Sequence, residues 1–85
     1  MLLFHEQPKA KVRVFVDCNK QVVKPVAFFW GGKRYDVCNV NLVYQRRRGD
    51  RYDLCFAVSD EANAYVLSCN PENLEWTLEE VRGEG

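Results

Sequence analysis

A pair of glycines between two apolar runs, Val26-Ala27-Phe28-Phe29-Trp30-Gly31-Gly32-Lys33-Arg34-Tyr35-Asp36-Val37, limits what this chain can fold into. Adjacent glycines supply the positive φ angles of a two-residue hairpin loop. With Gly31-Gly32 at the tip, Trp30 aligns with Lys33, Phe28 with Tyr35 and Val26 with Val37. Side chains alternate with period two along a strand, so these three pairs share one face, able to bury two aromatic rings and two valines. The Phe29–Arg34 and Ala27–Asp36 pairs fall on the other, wetter face. Turn chemistry and hydrophobic pattern specify the same register, and a one-residue slip would expose the whole apolar set.

The rest of the chain reads as strands and turns. Residues 1–9 form a flexible arm that ends at Pro8. Lys11 to Asp17 alternates, with Val12, Val14 and Val16 on one face of a half-buried strand. Asp17-Cys18-Asn19-Lys20 suits a turn. Pro25 cannot donate to a ladder and marks a bulge or an edge position in a second strand that begins near Val22. From Lys33 to Arg46 no Gly or Pro interrupts, but the inward set changes phase between Tyr35-Val37 and Val40-Leu42-Tyr44. A bulge near Cys38-Asn39 accounts for that switch and bends the strand. Gly49 in a three-residue loop aligns Tyr44 with Tyr52, Leu42 with Leu54 and Val40 with Phe56. Strands at Arg51–Val58 and Ala64–Cys69 follow, with a polar loop from Ser59 to Asn63 between them. Asn70-Pro71-Glu72-Asn73 is a turn, Asn73 taking the left-handed position. Leu74, Trp76 and Leu78 then alternate in a last strand to Val81, and residues 82–85 fray. The expectation is one all-β domain over residues 1–85: a six-stranded antiparallel meander, closed or half-open as a small barrel.

Composition narrows the functional classes. The chain has 85 residues, 47% of them hydrophobic, enough for one globular core. No apolar run approaches the ~20 residues that span a bilayer. Met1-Leu2-Leu3-Phe4 has neither the basic start nor the apolar length of a secretory signal, so the expectation is a cytoplasmic protein without a membrane. Cys18, Cys38, Cys55 and Cys69 include no closely spaced pair and only one histidine accompanies them, so they are expected to be reduced packing residues and to hold no metal. Net charge is zero, yet residues 1–51 hold eleven of the twelve Lys and Arg against four acids, a net +7, and residues 52–85 carry −7. Either the surface is bipolar or the two halves neutralise each other across neighbouring strands.

The polar feature that stands out is the Arg46-Arg47-Arg48 tip with Arg51, flanked by Tyr44 and Tyr52. Clustered arginines beside aromatic rings hold phosphates and stack bases. Lys33 and Arg34 add charge at the first hairpin tip. The competing view is a solvated hairpin end, where charge blocks association of strand edges. Arg48-Gly49-Asp50 spells an adhesion tripeptide by coincidence with a glycine-requiring turn. The scattered carboxylates lie on loops and solvent faces, and no nucleophile stands beside a plausible base, so neither an enzyme nor a cofactor is expected.

The segment Trp30-Gly31-Gly32-Lys33-Arg34-Tyr35-Asp36-Val37, followed by Glu75-Trp76-Thr77-Leu78-Glu79-Glu80-Val81, resembles a family of short uncharacterised bacterial β proteins. Their shared core is Trp-x-Gly-Arg/Lys-x-Tyr-x-Val, and some are encoded beside Y-family translesion DNA polymerase genes. The resemblance runs from Phe4 to Val81 and does not include the cysteines. It implies no catalytic residue and tilts the reading toward DNA transactions.

Two functional expectations follow. In the first, the chain is a binding module that engages nucleic acid, or a DNA-repair protein bound to it, through Lys33, Arg34, Tyr44, Arg46, Arg47, Arg48 and Arg51. In the second it is a protein-interaction or self-associating module, a homodimer among the outcomes, using exposed aromatics such as Phe15 and Phe29 and the acidic last strand. A continuous arginine surface would favour the first, and intermixed charge the second.

Overall fold

The computed structural model describes residues 3–18 and 23–84. These residues form eight strands and no helix: β1 Leu3–Glu6, β2 Ala10–Asp17, β3 Lys24–Trp30, β4 Lys33–Asp36, β5 Asn39–Arg48, β6 Arg51–Ser59, β7 Asn63–Cys69 and β8 Trp76–Glu84. All pairings are antiparallel, in the order β4-β3-β2-β8-β7-β6-β5, with β1 beside β8.

The glycine hairpin forms in the expected register, Phe28 opposite Tyr35 and Trp30 opposite Lys33. Gly31 and Gly32 have φ of 60° and 77°, angles at which an L side chain is strained. Pro25 also acts as expected. The β2–β3 register shifts between Val16↔Pro25 and Phe15↔Ala27, leaving Val26 as the extra residue of a bulge. That bulge turns Val26 out to solvent, so only Val37 of the expected valine pair packs against the core.

The six expected strands become eight for two reasons. Residues 3–6, expected to be a loose arm, pair with β8 from Phe4↔Gly83 to Glu6↔Val81, and the same pairing orders residues 82–84, expected to fray. The long third strand is divided at Val37-Cys38, where the phase change was read. Val37 N–H donates to Val26 O of β3, and Cys38 N–H donates to Ser59 O of β6, both at 2.9 Å. The chain thus leaves one ladder and joins another at consecutive residues. No ladder joins β4 to β5 among the described residues, so the sheet is open, and the expected barrel gives way to a sheet folded over itself.

Folding occurs about β2, which pairs with β8 through Ala10–Val12 and with β3 through Arg13–Asp17. The β3–β4 hairpin is thereby laid across β7. Phe28 stacks on Tyr35 at 5.1 Å between ring centroids, and both meet Tyr65 edge-on, at 5.1 and 5.8 Å. Phe56, Val58, Leu67, Leu78 and Val81 complete the buried cluster. Cys55 and Cys69 are buried as expected, but Cys18 and Cys38 are exposed and do not pack.

Two further expectations fail in detail. The β5–β6 hairpin closes on Arg48↔Arg51 around a two-residue Gly49-Asp50 loop, so Arg47 pairs with Tyr52, Gln45 with Leu54 and Val43 with Phe56. Gly49 has the expected left-handed φ of 63°, a conformation that serves two- and three-residue loops alike. In the 70–75 turn the left-handed residue is Leu74, at φ 59°, and not Asn73, whose side-chain oxygen instead accepts from Glu75 N–H at 3.0 Å. Leu74 therefore stands outside β8.

Candidate functional site

The altered hairpin register decides where the arginines go. Odd and even positions of β5 point to opposite sides of the sheet. Arg46 and Arg48 lie on the outer side with Asp53 of β6, Ser68 of β7 and Glu79 of β8, whereas Arg47 lies on the other side. Glu79 follows Thr77 onto this side by alternation, and the β7–β8 register shift between Leu67↔Leu78 and Val66↔Glu80 makes it the extra residue of a bulge that brings Glu80 to the same side.

These side chains form one ion-paired cluster spanning four strands. Arg46 Nη2 donates to Glu79 Oε2 at 2.9 Å and lies 3.5 Å from Asp53 Oδ2. Arg48 Nε is 2.7 Å from Asp53 Oδ2, and its Nη2 is 3.6 Å from Glu79 Oε2. Ser68 Oγ–H donates to Glu79 Oε2 at 2.7 Å. Asp53 and Glu79 retain only 5% and 6% of their exposure, because the two arginines lie over them. Burial alone would raise the Glu79 pKa, but hydrogen bonds from Arg46 and Ser68 and the charge of both arginines hold it below the usual carboxylate value. The same contact with Glu79 raises the Arg46 pKa.

The other expected binding residues are also engaged. Arg47 Nε donates to Gly49 O at 2.9 Å, and Arg51 lies 3.5 Å from Glu72. At the first hairpin, Arg34 pairs with Asp36 at 2.8 Å and Lys33 sits 5.2 Å from the Tyr35 ring. Tyr44 and Tyr52 lie on opposite sides of the sheet, the former opposite Cys55 and the latter opposite Arg47, so they form no common stacking platform. Several cations of the basic half meet acids of the acidic half: Lys11 with Glu75, Arg51 with Glu72, and the arginines of the cluster with Asp53 and Glu79. Of the two charge arrangements read in the sequence, mutual neutralisation is observed at these contacts.

Two surfaces remain. On the outer side of β2–β4, Arg13, Phe29 and Arg34 are in direct register across three strands. Phe15 meets Phe29 edge-on at 5.3 Å, with Arg13 5.8 Å from the Phe29 ring and Arg34 5.6 Å from the Phe15 ring. The second surface is β5 itself. It ends the strand order, is ten residues long, and exposes Leu42, Val43 and Tyr44 in succession. Leu42 is 57% exposed although it is central to its strand. Below Leu42 and Tyr44, small residues Ala57, Ala64 and Val66 floor a shallow groove of ≈ 380 Å³.

Asp53, Ser68 and the edge at Val43 had no place in the sequence reading, and Glu79, expected with the other carboxylates on loops and solvent faces, is instead buried beneath the two arginines. The available signals were a lone Asp53 inside an apolar strand and the doubled Glu79-Glu80, which breaks alternation between Leu78 and Val81. No helix among the described residues is long and apolar enough to cross a membrane. No family model matches the chain, and neither the curated proteins nor the solved structures contain a match.

Proposed function

We propose that this chain is a protein-interaction module that binds an extended segment along the free edge of β5. The observation that carries this reading is the exposure of Leu42, Val43 and Tyr44 on a ten-residue terminal strand. A long edge with an apolar centre offers unpaired backbone donors and acceptors together with side-chain contacts on both sides of the sheet. The other terminal strand, β4, is four residues long with three charged side chains, the pattern that discourages strand addition. Intermixed charge over the former arginine candidates supports the same reading.

The test is selection of ten-residue peptides from a displayed random library on immobilised wild type and on Val43→Pro. Enrichment of alternating apolar peptides on the wild type alone is the expected result. Equal recovery on both proteins would remove the reading.

A second reading, nucleic-acid association, draws support from the Arg13–Phe29–Arg34 row, where aromatic rings and guanidinium groups interleave on an open sheet surface. Its test is a low-salt titration of single-stranded DNA and RNA against the wild type and Phe15→Ala. Salt-sensitive binding weakened by that substitution is expected, and no binding to either strand would end it.

A further inference from the structure

We infer that the segment that adds to β5 is β5 of a second copy of this chain, paired antiparallel about a dyad at Val43. The inference rests on the edge-binding reading above and names its partner.

The backbone orientation supplies the first support. The hairpin closes on Arg48↔Arg51, and inward and outward backbone groups alternate from there along β5 as far as Leu42, beyond which Asn41 is the extra residue of a bulge against β6. Arg47, Gln45 and Val43 therefore direct N–H and C=O away from β6, toward the free edge. An antiparallel pair in which Val43 faces Val43 of a second copy matches outward groups with outward groups at its centre, on the hairpin side of the Asn41 bulge.

Side-chain chemistry supplies the second. In that register Leu42 faces Tyr44 twice, once on each side of the dyad, and Gln45 faces Asn41. Arg46 falls opposite Val40 and Arg47 opposite Asn39, so no arginine meets another. The two Arg46 side chains lie six residues apart along the paired strands, ~20 Å at the usual rise. Arg46 and Arg48 are in any case paired within their own chain to Glu79 and Asp53. Residues 39–48 contain no acid, so the strand contributes no opposite charge that would favour another register.

Coverage supplies the third. Leu42 and Val43 point to opposite sides of the sheet, and a ligand on one side alone would cover only one of them. Strand addition covers both. It also sets Leu42 and Tyr44 of the second copy beside the groove floored by Ala57 and Val66. The edges of β1 and β4 are four residues each and offer no comparable stretch.

Sedimentation of the whole chain over ~10 µM to ~1 mM tests this, since one strand pair buries less than the ~800 Å² per partner of a standard interface and gives a weak dimer. The average mass should rise from 9.9 kDa toward twice that value. Val43→Pro, which removes an outward N–H and leaves the β5–β6 ladder intact, should stay at the mass of one chain. Val43→Lys serves as the second variant, and urea unfolding confirms that each variant is folded. Hydrogen exchange at the Val43 and Gln45 amides should slow with concentration in the wild type. A single-chain mass at 1 mM, or a dimer that survives both substitutions, would overturn the inference. If the wild type stays a single chain yet still selects peptides that Val43→Pro does not, self-pairing fails while edge binding stands. If it neither dimerises nor selects peptides, both fail.

Discussion

Arg46 Nη2 lies 2.9 Å from Glu79 Oε2, a hydrogen-bonded ion pair between residues 33 apart in sequence and on strands separated by two others. The pair is possible because both side chains lie on the same side of the sheet and Arg46 reaches across β6 and β7. It converts what reads as a free arginine tip into part of the fold's own polar framework.

Replacing Glu79 by Gln should therefore destabilise the protein at neutral pH and change its response to acid. The sign follows from the depressed pKa: the stabilisation is present above the unfolded value of 4.5 and is lost as pH falls through the lower folded value. Wild type should lose stability steeply below about pH 4.5, while Glu79→Gln should show a shallower fall. Removing one partner of a buried pair costs about 3–5 kcal/mol, and the partly exposed arginines reduce this to roughly 2–3 here. Urea unfolding at several pH values measures both effects. Equal slopes in wild type and variant below pH 4.5 would contradict this account of the cluster.

The three arginines should separate by role. Arg47→Ser should be near neutral, within about 0.5 kcal/mol, since its side chain is exposed and hydrogen-bonds to the Gly49 carbonyl rather than to a buried carboxylate. Arg46→Ser and Arg48→Ser should each cost more, because each uncovers a buried carboxylate. The midpoint of urea unfolding distinguishes them, and an Arg47 variant as unstable as the other two would refute the assignment.

Leu74 carries the strain of the 70–75 turn. A bulky residue at φ 59° is disfavoured, and its side chain is 70% exposed, so little packing offsets the cost. Leu74→Asn should stabilise the protein by about 0.5–1 kcal/mol, as asparagine tolerates the left-handed region. A lower thermal midpoint for the variant would mean that Leu74 contributes contacts sufficient to outweigh its backbone strain.

How much could be read from the sequence depended on whether local signals agreed. At Gly31-Gly32 two left-handed residues fit one loop length, and the Phe28–Tyr35 pair confirmed it. At Gly49 one left-handed residue fits two loop lengths, and the tempting Tyr44–Tyr52 pair selected the wrong one. The pairing shifted by three positions, which moved Arg46 and Arg48 to the side carrying Asp53. The cluster itself was hidden for a different reason. It joins four strands, and its key residue Glu79 sits where a bulge suspends the alternation that makes strands readable. The division at Val37-Cys38 was visible as a change of phase. That it transferred the chain to β6 was not, because the change is the same whether a strand bends or changes partner.

Gly83 offers the sharpest check on the part of the fold that sequence patterning missed. It lies in β8 between Phe4 of β1 and Asn63 of β7, both in direct register with it. A Cβ at Gly83 would overlap the Asn63 side-chain amide and would sit 3.0 Å from Phe4 Cε1. The position therefore requires glycine for close approach of side chains from both neighbouring strands, and its backbone is not left-handed. Gly83→Ala should destabilise by about 1–3 kcal/mol, the usual range for overpacking. Amide exchange should show the loss concentrated in residues 3–6, since Phe4 must move while the rest of the β7–β8 ladder can hold. Adding Asn63→Gly removes the nearer obstacle and should recover part of the stability. If Gly83→Ala were neutral, and residues 3–6 remained protected from exchange, the pairing of β1 with β8 would be wrong.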